Sequence, residues 1–487
     1  MKKKTFLLIF AGFTTSLFLT SCTTEETQET EIIVENNYLS TTSSPDSLCL
    51  TDPSWFPHSQ TPEPNEGNTS PFANSSTTNA IFHQWSWQKF LWLTKPDTNG
   101  TPLFLNPSKV HQISSKMDLI TVPQGATVVL QDTQQAGSKQ AVLTTNPDYN
   151  KSQKSETVYY SIHMNPIMYK HAIKFAKEII NKIIPDSNSV MFPVGSFELK
   201  VSWVPVDAIP EDKQADYFTT TAHLSTDNGK TFQNTTVALI GMHVVGVVEN
   251  HPEFIWATFE HDDLAPNYDW KANSASSASN QLLFKKGSVQ GIGGILYDTA
   301  TKHGTPPYQV FDLFEYGVPR DPSGSFMVTS QDEPENFTNI QGINSCVKQN
   351  LNDVWSHYFY NGSIWLNMDG TTPERQAYII DSLGYNISNA GKGSYARGSL
   401  NCANVTMETF TQTFKKSIGD INASNLANCF SCHSSPTFQS GSNATSPLYL
   451  SHVFQDYLSS QRGRKLEEIE RIKLKNEQRV TEYLQSK

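Results

Sequence analysis

Short runs of apolar residues fill the middle of the chain and predict β-strands. The runs at 126–130, 157–161 and 197–204 are rich in β-branched and aromatic residues, and turn-forming residues bound each of them. The longest apolar run, residues 237–248, is interrupted only by two glycines and a histidine. It is too short to cross a bilayer as a helix, so it predicts a buried strand.

Two helices are predicted to interrupt these strands. Residues 78–94 carry five aromatic side chains on more than one helical face, which indicates a helix buried within the core. A second helix begins near Pro166 and runs to about residue 184, where Pro185 ends it. The predicted fold class is therefore α+β, with a β-rich middle unit at 77–335 that carries helical insertions.

The N-terminus predicts export and lipidation. Three lysines at 2–4 precede an apolar stretch at 6–19 that is too short to span a bilayer comfortably, so residues 1–21 are predicted to be a signal peptide. The stretch ends in Leu-Thr-Ser-Cys, which looks like a bacterial lipobox. We expect cleavage before Cys22 and lipid attachment to its thiol, with an ordinary cleaved signal as the alternative.

Composition predicts how the chain is anchored. Residues 22–76 are rich in Thr, Ser, Asn, Glu and Pro and poor in apolar residues, which favours a disordered tether. Acidic residues just after Cys22 resemble the surface-export signal of Bacteroidota lipoproteins, with a solvated acidic spacer as the alternative. An outer-membrane lipoprotein is predicted, either on the periplasmic side or on the cell surface. The net charge of −11 argues against a nucleic-acid partner, which needs a basic surface.

The candidate chemistry lies near the C-terminus, where residues 429–433 fit the pattern Cys-x-x-Cys-His. This pattern attaches a c-type haem: Cys429 and Cys432 each add to a vinyl group, and His433 binds the iron as an axial ligand. Bacteria attach this haem outside the cytoplasmic membrane, in agreement with the export signal. We therefore predict one covalent haem c, held in a mainly helical segment at 336–463.

Two other uses of the motif fit its surroundings less well. A redox disulfide of the thioredoxin type follows a strand and opens a helix, whereas residues 423–428 do not have the composition of a strand. A zinc site needs two further Cys or His residues at close spacing, and His452 is the only nearby downstream candidate. The haem prediction is favoured over both.

Four further segments carry a family resemblance. They are Glu-Leu-Lys-Val-Ser-Trp at 198–203, Leu-Ile-Gly-Met-His-Val-Val at 239–245, Phe-Ile-Trp-Ala-Thr-Phe-Glu-His at 254–261 and Asn-Val-Thr-Met-Glu-Thr-Phe at 404–410. Together with the Cys-x-x-Cys-His motif, they resemble a widespread group of exported bacterial proteins labelled "cytochrome c family". The resemblance implies an exported β-rich protein with one haem in a C-terminal helical segment, and it implies no particular substrate.

The second axial ligand of the iron has several candidates. Small cytochromes c commonly use a methionine that follows the motif, but residues 434–487 contain none. Met407 and His452 are the candidates close in sequence, since either intervening loop is long enough to fold back over one haem. The resemblance favours Met407, which lies in a matching segment. An open or water-occupied position is the third alternative.

These predictions leave three functions. Electron transfer is favoured, because a thioether ligand raises the reduction potential relative to bis-histidine ligation. An open position would instead suit a haem enzyme with a nearby acid–base group. In the third alternative, the β-rich unit is a binding or interaction module and the haem has a redox or structural role. The sequence does not identify the redox partner protein.

The remaining cysteines and the last segment complete the predicted organisation. Cys49, Cys346 and Cys402 are left after lipid and haem are assigned, so one disulfide and one free thiol are expected. Cys346 and Cys402 are the predicted pair, because both lie in the half of the chain that carries the haem motif. Residues 464–487 alternate charges densely and predict an exposed amphipathic helix.

Three histidines of the β-rich unit are not predicted to bind a metal. His243, His251 and His261 are 8 and 10 residues apart, which follows no short metal-binding motif. A histidine on a strand is usually a satisfied or exposed polar residue. We therefore expect these three side chains to be ordinary polar positions of the sheet.

Overall fold

The computed structural model describes most of the middle of the chain and parts of its second half. The described residues are 49–74, 77–135, 142–183, 190–266, 279–284, 286, 297–298, 303–304, 326–327, 336–372, 374–376, 378–379, 395–399, 402, 404–408, 429–433 and 446–462. The predicted signal peptide, Cys22 and the predicted helix at 464–487 lie outside them. Among the described helices, none is long and apolar enough to cross a membrane.

One large sheet organises the described residues. The strands are β1 His111–Ile113, β2 Val128–Leu130, β3 Tyr159–Met164, β4 Phe197–Pro205, β5 Thr219–Leu224, β6 Gln233–Val248, β7 His251–His261, β8 Tyr297–Asp298, β9 His303–Gly304, β10 Phe326–Met327, β11 Tyr358–Leu366 and β12 Ala396–Ser399. Within the described part, ten of them form a sheet in the order β1-β3-β4-β6-β7-β11-β12-β10, with β5 beside β6 and β2 beside β5. Every pairing in this sheet is antiparallel except that of β2 with β5. The predicted α+β class with a β-rich unit is confirmed.

Helices cover both faces of this sheet. They are α1 Asn79–Thr94, α2 Pro166–Ile180, α3 Asn336–Asn350, α4 Cys429–Cys432 and α5 His452–Gln461. On β7, Ile255 and Phe259 pack in the apolar cluster that contains α1 and α3, whereas Phe254 and Trp256 pack in the cluster that contains α2 and α5. Alternate residues of a strand point to opposite faces, so the sheet has an α1–α3 face and an α2–α5 face. Burial on both faces explains why residues 237–248 of β6 form a long, mostly apolar run.

Helix α1 is buried on several sides, as its aromatic residues predict. Phe90 stacks on Phe259 with ring centroids 4.1 Å apart, and Phe82 stacks on Trp365 at 4.0 Å. Both phenylalanines are fully buried. The helix therefore lies between the sheet and further parts of the chain.

Helix α2 begins where the sequence predicts and ends earlier. The side chain of Asn165 accepts the N–H of Met168 at 3.1 Å, and Pro166 occupies the first turn. The helix ends at Ile180 because Lys182 adopts a left-handed φ of 57°. The N–H of Ile183 then reaches back to the carbonyl of Glu178 at 2.8 Å, which closes the helix four residues before the predicted end.

The prediction that residues 22–76 form a disordered tether is wrong for the described residues 49–74. Trp55 and Phe72 are each only 2% exposed and belong to the core cluster of the α1–α3 face. Glu66 accepts the indole N–H of Trp85 at 2.7 Å. Low average hydrophobicity concealed two aromatic anchors that fix this segment to the folded unit.

The predicted disulfide is also wrong. Cys49 pairs with Cys346 on α3, and their Cα atoms are 5.6 Å apart although 297 residues separate them in the chain. Cys402 is the buried free thiol. The prediction relied on sequence proximity, and it failed because the N-terminal segment folds back along α1 and α3. One disulfide and one free thiol remain as expected for these three cysteines.

The predicted boundary at 335/336 does not separate two structural units. Strand β11 pairs with β7 over most of its length, and β12 pairs with both β10 and β11. Residues assigned to a mainly helical segment at 336–463 therefore contribute strands to the same sheet as residues 77–335. The α4 turn lies against this sheet.

Candidate functional site at the Cys-x-x-Cys-His turn

The Cys-x-x-Cys-His motif forms a single helical turn that a buried aromatic residue anchors to the sheet. The N–H of His433 donates to the carbonyl of Cys429 at 2.8 Å and closes the turn. Phe430 is fully buried and meets Trp256 of β7 edge to face, with centroids 6.3 Å apart. Cys429 and His433 are only partly buried. The turn therefore holds both side chains against the α2–α5 face, where they stay partly exposed.

One ring nitrogen of His433 is committed to the backbone. Its Nδ1 lies 2.7 Å from the carbonyl oxygen of Leu450, which can only accept, so Nδ1 carries the hydrogen. Burial lowers the pKa of His433 to about 4, so the ring is neutral at pH 7 and Nε2 carries the lone pair. A hydrogen bond of this kind orients histidines that ligate metals.

The Leu450 carbonyl is itself held by local capping. Ser451 accepts the N–H of Phe454 at 3.2 Å and caps α5, which begins at His452. The same hydroxyl donates to Glu198 of β4 at 2.7 Å. Leu450 and Ser451 are buried, and burial raises the pKa of Glu198 to about 7. The sequence around Ser451 thus ties the partner of His433 to the sheet.

His452 lies beside His433 and does not face it. Their rings stack with centroids 3.9 Å apart and planes 16° from parallel. A metal bound to Nε2 lies in the plane of the imidazole ring, whereas a stacked ring lies above that plane. The structure brings these two predicted residues together, but in an arrangement that differs from two axial ligands on opposite sides of one iron.

Met407 packs elsewhere. Its side chain is fully buried in an apolar cluster with Val405 and Ile240, whereas Cys429 and Phe430 pack in the cluster of the α2–α5 face. The adjacent Thr406 carbonyl accepts a hydrogen bond from the hydroxyl of Tyr160 at 2.5 Å. The described geometry therefore does not place Met407 alongside the Cys-x-x-Cys-His turn.

A histidine–glutamate pair near the turn was not predicted. Nε2 of His243, on β6, lies 2.8 Å from the carboxylate of Glu408, which also accepts the N–H of Asn404 at 2.6 Å. Burial alone would raise the pKa of Glu408, but His243 and the Asn404 N–H lower it on balance. The available signal was a polar residue within the longest apolar strand, since buried polar groups are the informative exceptions.

The donor set of the turn fits covalent haem attachment. The porphyrin supplies four nitrogens to its own iron, so the protein has to supply two thiols and one or two axial ligands. Among the described residues, His433 offers an oriented Nε2 as an axial ligand, and Cys429 offers a partly exposed thiol. No group of three or more His, Cys, Asp or Glu residues suited to a metal ion occurs among the described residues.

The chain matches no protein-family model, no curated protein and no solved structure.

Proposed function

We propose that the protein is a lipid-anchored, exported c-type cytochrome that carries one covalent haem and transfers electrons. The thiols of Cys429 and Cys432 would add across the two vinyl groups of the haem, and Nε2 of His433 would bind its iron. The observation that carries this proposal is the hydrogen bond from Nδ1 of His433 to the Leu450 carbonyl, because it leaves Nε2 as the lone-pair nitrogen. The bound haem supplies a one-electron Fe(III)/Fe(II) couple.

The surroundings of the turn support a role in electron transfer. Trp256 lies against His433 with ring centroids 4.2 Å apart, and Phe430 fills the apolar cluster below. An apolar, rigid support keeps an axial ligand in one position while the charge of the iron changes. Cys429 and His433 remain partly exposed, so the attachment machinery and a redox partner can approach the turn.

Sequence features support the proposed location and partners. Cys22 would carry the lipid that anchors the chain to the outer membrane, on the periplasmic side or at the cell surface. The protein would take one electron from a reduced donor protein and pass it to an oxidised acceptor protein. Its acidic net charge disfavours nucleic acid as a partner.

Expression of the full chain with a c-type maturation system tests the proposal. We expect one haem per chain that stays attached after denaturation, measured by haem staining and by the pyridine haemochrome spectrum. Cys429→Ala and Cys432→Ala together should abolish attachment. Cys402→Ala is the matched control, because Cys402 is buried in the same apolar cluster but lies outside the turn.

A folded wild-type protein without covalent haem would contradict the proposal. If its motif thiols then formed a reversible disulfide, a redox dithiol would be the better account. The haem-enzyme alternative makes a separate prediction: the reduced protein would bind carbon monoxide readily, because its iron would have an open position.

A further inference from the structure

His243 and His433 have the same hydrogen-bonding pattern. The Glu408 carboxylate can only accept, so Nε2 of His243 carries the hydrogen, and in the neutral ring Nδ1 carries the lone pair. Within the part of the chain that the structure describes, no group hydrogen-bonds to Nδ1 of His243. Histidines that ligate metals almost always donate their other N–H to a carboxylate or a carbonyl. Each of the two histidines therefore donates one ring N–H to a fixed acceptor, as histidines that ligate metals do.

The sheet places His243 on the same face as the Cys-x-x-Cys-His turn. On β6, Val245 lies opposite Trp256 of β7, and His243 lies opposite Thr258, one step along the same face. Diagonal neighbours on an antiparallel pair are about 7–8 Å apart, so His243 is close to the residue whose ring contacts His433.

The backbone around His243 is shaped to receive the turn that carries Glu408. A Cβ atom at Gly241 would lie 2.7 Å from the Thr406 hydroxyl and 2.9 Å from the Asn404 side chain. Only glycine lets residues 404–408 approach β6 this closely. The close approach brings Glu408 within reach of His243, whose side chain is 20% exposed. Glu408 thus orients the ring of His243 while the side chain stays partly exposed.

We propose that His243, oriented by Glu408, is the second axial ligand of the haem iron that His433 binds. This inference rests on the proposed function and names the ligand that the sequence left open. The stacked position of His452 and the separate burial of Met407 make both of them poorer candidates. Bis-histidine ligation through His243 gives a six-coordinate iron and a reduction potential below that of a His/Met pair.

Optical spectra of the purified full-length holoprotein test this ligation. The wild type should be low-spin in both oxidation states, should lack a methionine-to-iron charge-transfer band and should not bind carbon monoxide when reduced. His243→Ala should become high-spin and bind carbon monoxide, and added imidazole should restore the low-spin spectrum. His452→Ala and Met407→Leu should keep the wild-type spectrum. His223→Ala is the matched control, because His223 is a histidine on the neighbouring strand β5.

A second variant covers the case in which His243→Ala does not fold. His243→Met keeps a side chain of similar reach that can bind iron, so a methionine-to-iron charge-transfer band should appear and the reduction potential should rise. An unchanged spectrum in either variant, with covalent haem present, overturns the assignment of His243. Absence of covalent haem from the wild type overturns the proposed function itself, and the two failures are therefore distinguishable.

Discussion

The carboxyl group of Glu198 lies 2.7 Å from the hydroxyl of Ser451, the residue that caps α5 directly before His452. Glu198 lies on β4 and is 9% exposed, so the hydrogen bond joins the sheet to the segment that supports His433. Burial raises the pKa of Glu198 from 4.5 to about 7, because the charged form loses most of its hydration.

The free energy of unfolding should fall as the pH rises from about 4.5 to 7. A carboxyl group whose pKa is raised by folding holds its proton more tightly in the folded state, so its contribution is fully present below the unfolded pKa and is lost as the pH passes the folded pKa. A pKa difference of one unit corresponds to 1.36 kcal/mol, so the shift from 4.5 to about 7 predicts a loss of about 3 kcal/mol. Glu198→Gln should remove this pH dependence in urea denaturation at pH 5 to 8. Exposed Glu211→Gln should follow the wild type, and parallel profiles for all three proteins would count against the account.

The folded state should tolerate the fully buried ammonium group of Lys89 because the carboxylate of Glu66 lies beside it. The two charges are 3.0 Å apart, and Glu66 is itself only 8% exposed. Glu66→Gln removes the only buried carboxylate of the two that lie within 4 Å of Lys89, so the free energy of unfolding should fall by roughly 3–5 kcal/mol. Glu63, 3.6 Å from Lys89 and 55% exposed, provides the control: Glu63→Gln should cost at most about 1 kcal/mol. Equal losses in urea denaturation would show that burial of the pair is unimportant.

The Cys49–Cys346 disulfide should stabilise the fold through its long loop. Cys49→Ala and Cys346→Ala should each lower the free energy of unfolding by roughly 2–4 kcal/mol, and the double variant should lose no more than either single one. Alkylation of the denatured, unreduced protein provides a direct check by mass spectrometry. Cys402 should be modified, whereas Cys49 and Cys346 should be protected. Alkylation of Cys49 with protection of Cys402 would restore the pairing predicted from the sequence.

The sequence predicted the elements whose signals are local. The apolar run of β6 is long because helices cover both faces of the sheet, and α1 carries more aromatic residues than one face can hold. The start of α2 is encoded by Asn165 and Pro166. Its end depends on the left-handed conformation of Lys182, and lysine is not a residue type that predicts this conformation.

Contacts between distant residues account for what the sequence did not predict. The Cys49–Cys346 bond spans 297 residues, and the hydrogen bond between His243 and Glu408 spans 165. Spacing rules for metal sites consider neighbours along the chain, so they classify His243 with His251 and His261 as ordinary strand residues. Only the sheet register and the turn at 404–408 bring His243 and Glu408 together.

Glu408 should lower the reduction potential of the haem if His243 binds its iron. The carboxylate increases the basicity of the imidazole and adds a negative charge near the iron, and both effects favour the oxidised state. Glu408→Gln should therefore raise the reduction potential while the spectrum remains low-spin, as measured by spectroelectrochemical titration. Glu211→Gln should leave the potential unchanged. A potential that does not move in Glu408→Gln would argue against ligation by His243.

Peptide mapping of the purified full-length protein by mass spectrometry tests the central claim most directly. The account predicts that the peptide containing residues 429–433 carries the mass of one haem, bound through both Cys429 and Cys432, after expression with a c-type maturation system. The same peptide with two unmodified thiols, or with a disulfide between them, in a folded protein would contradict the account.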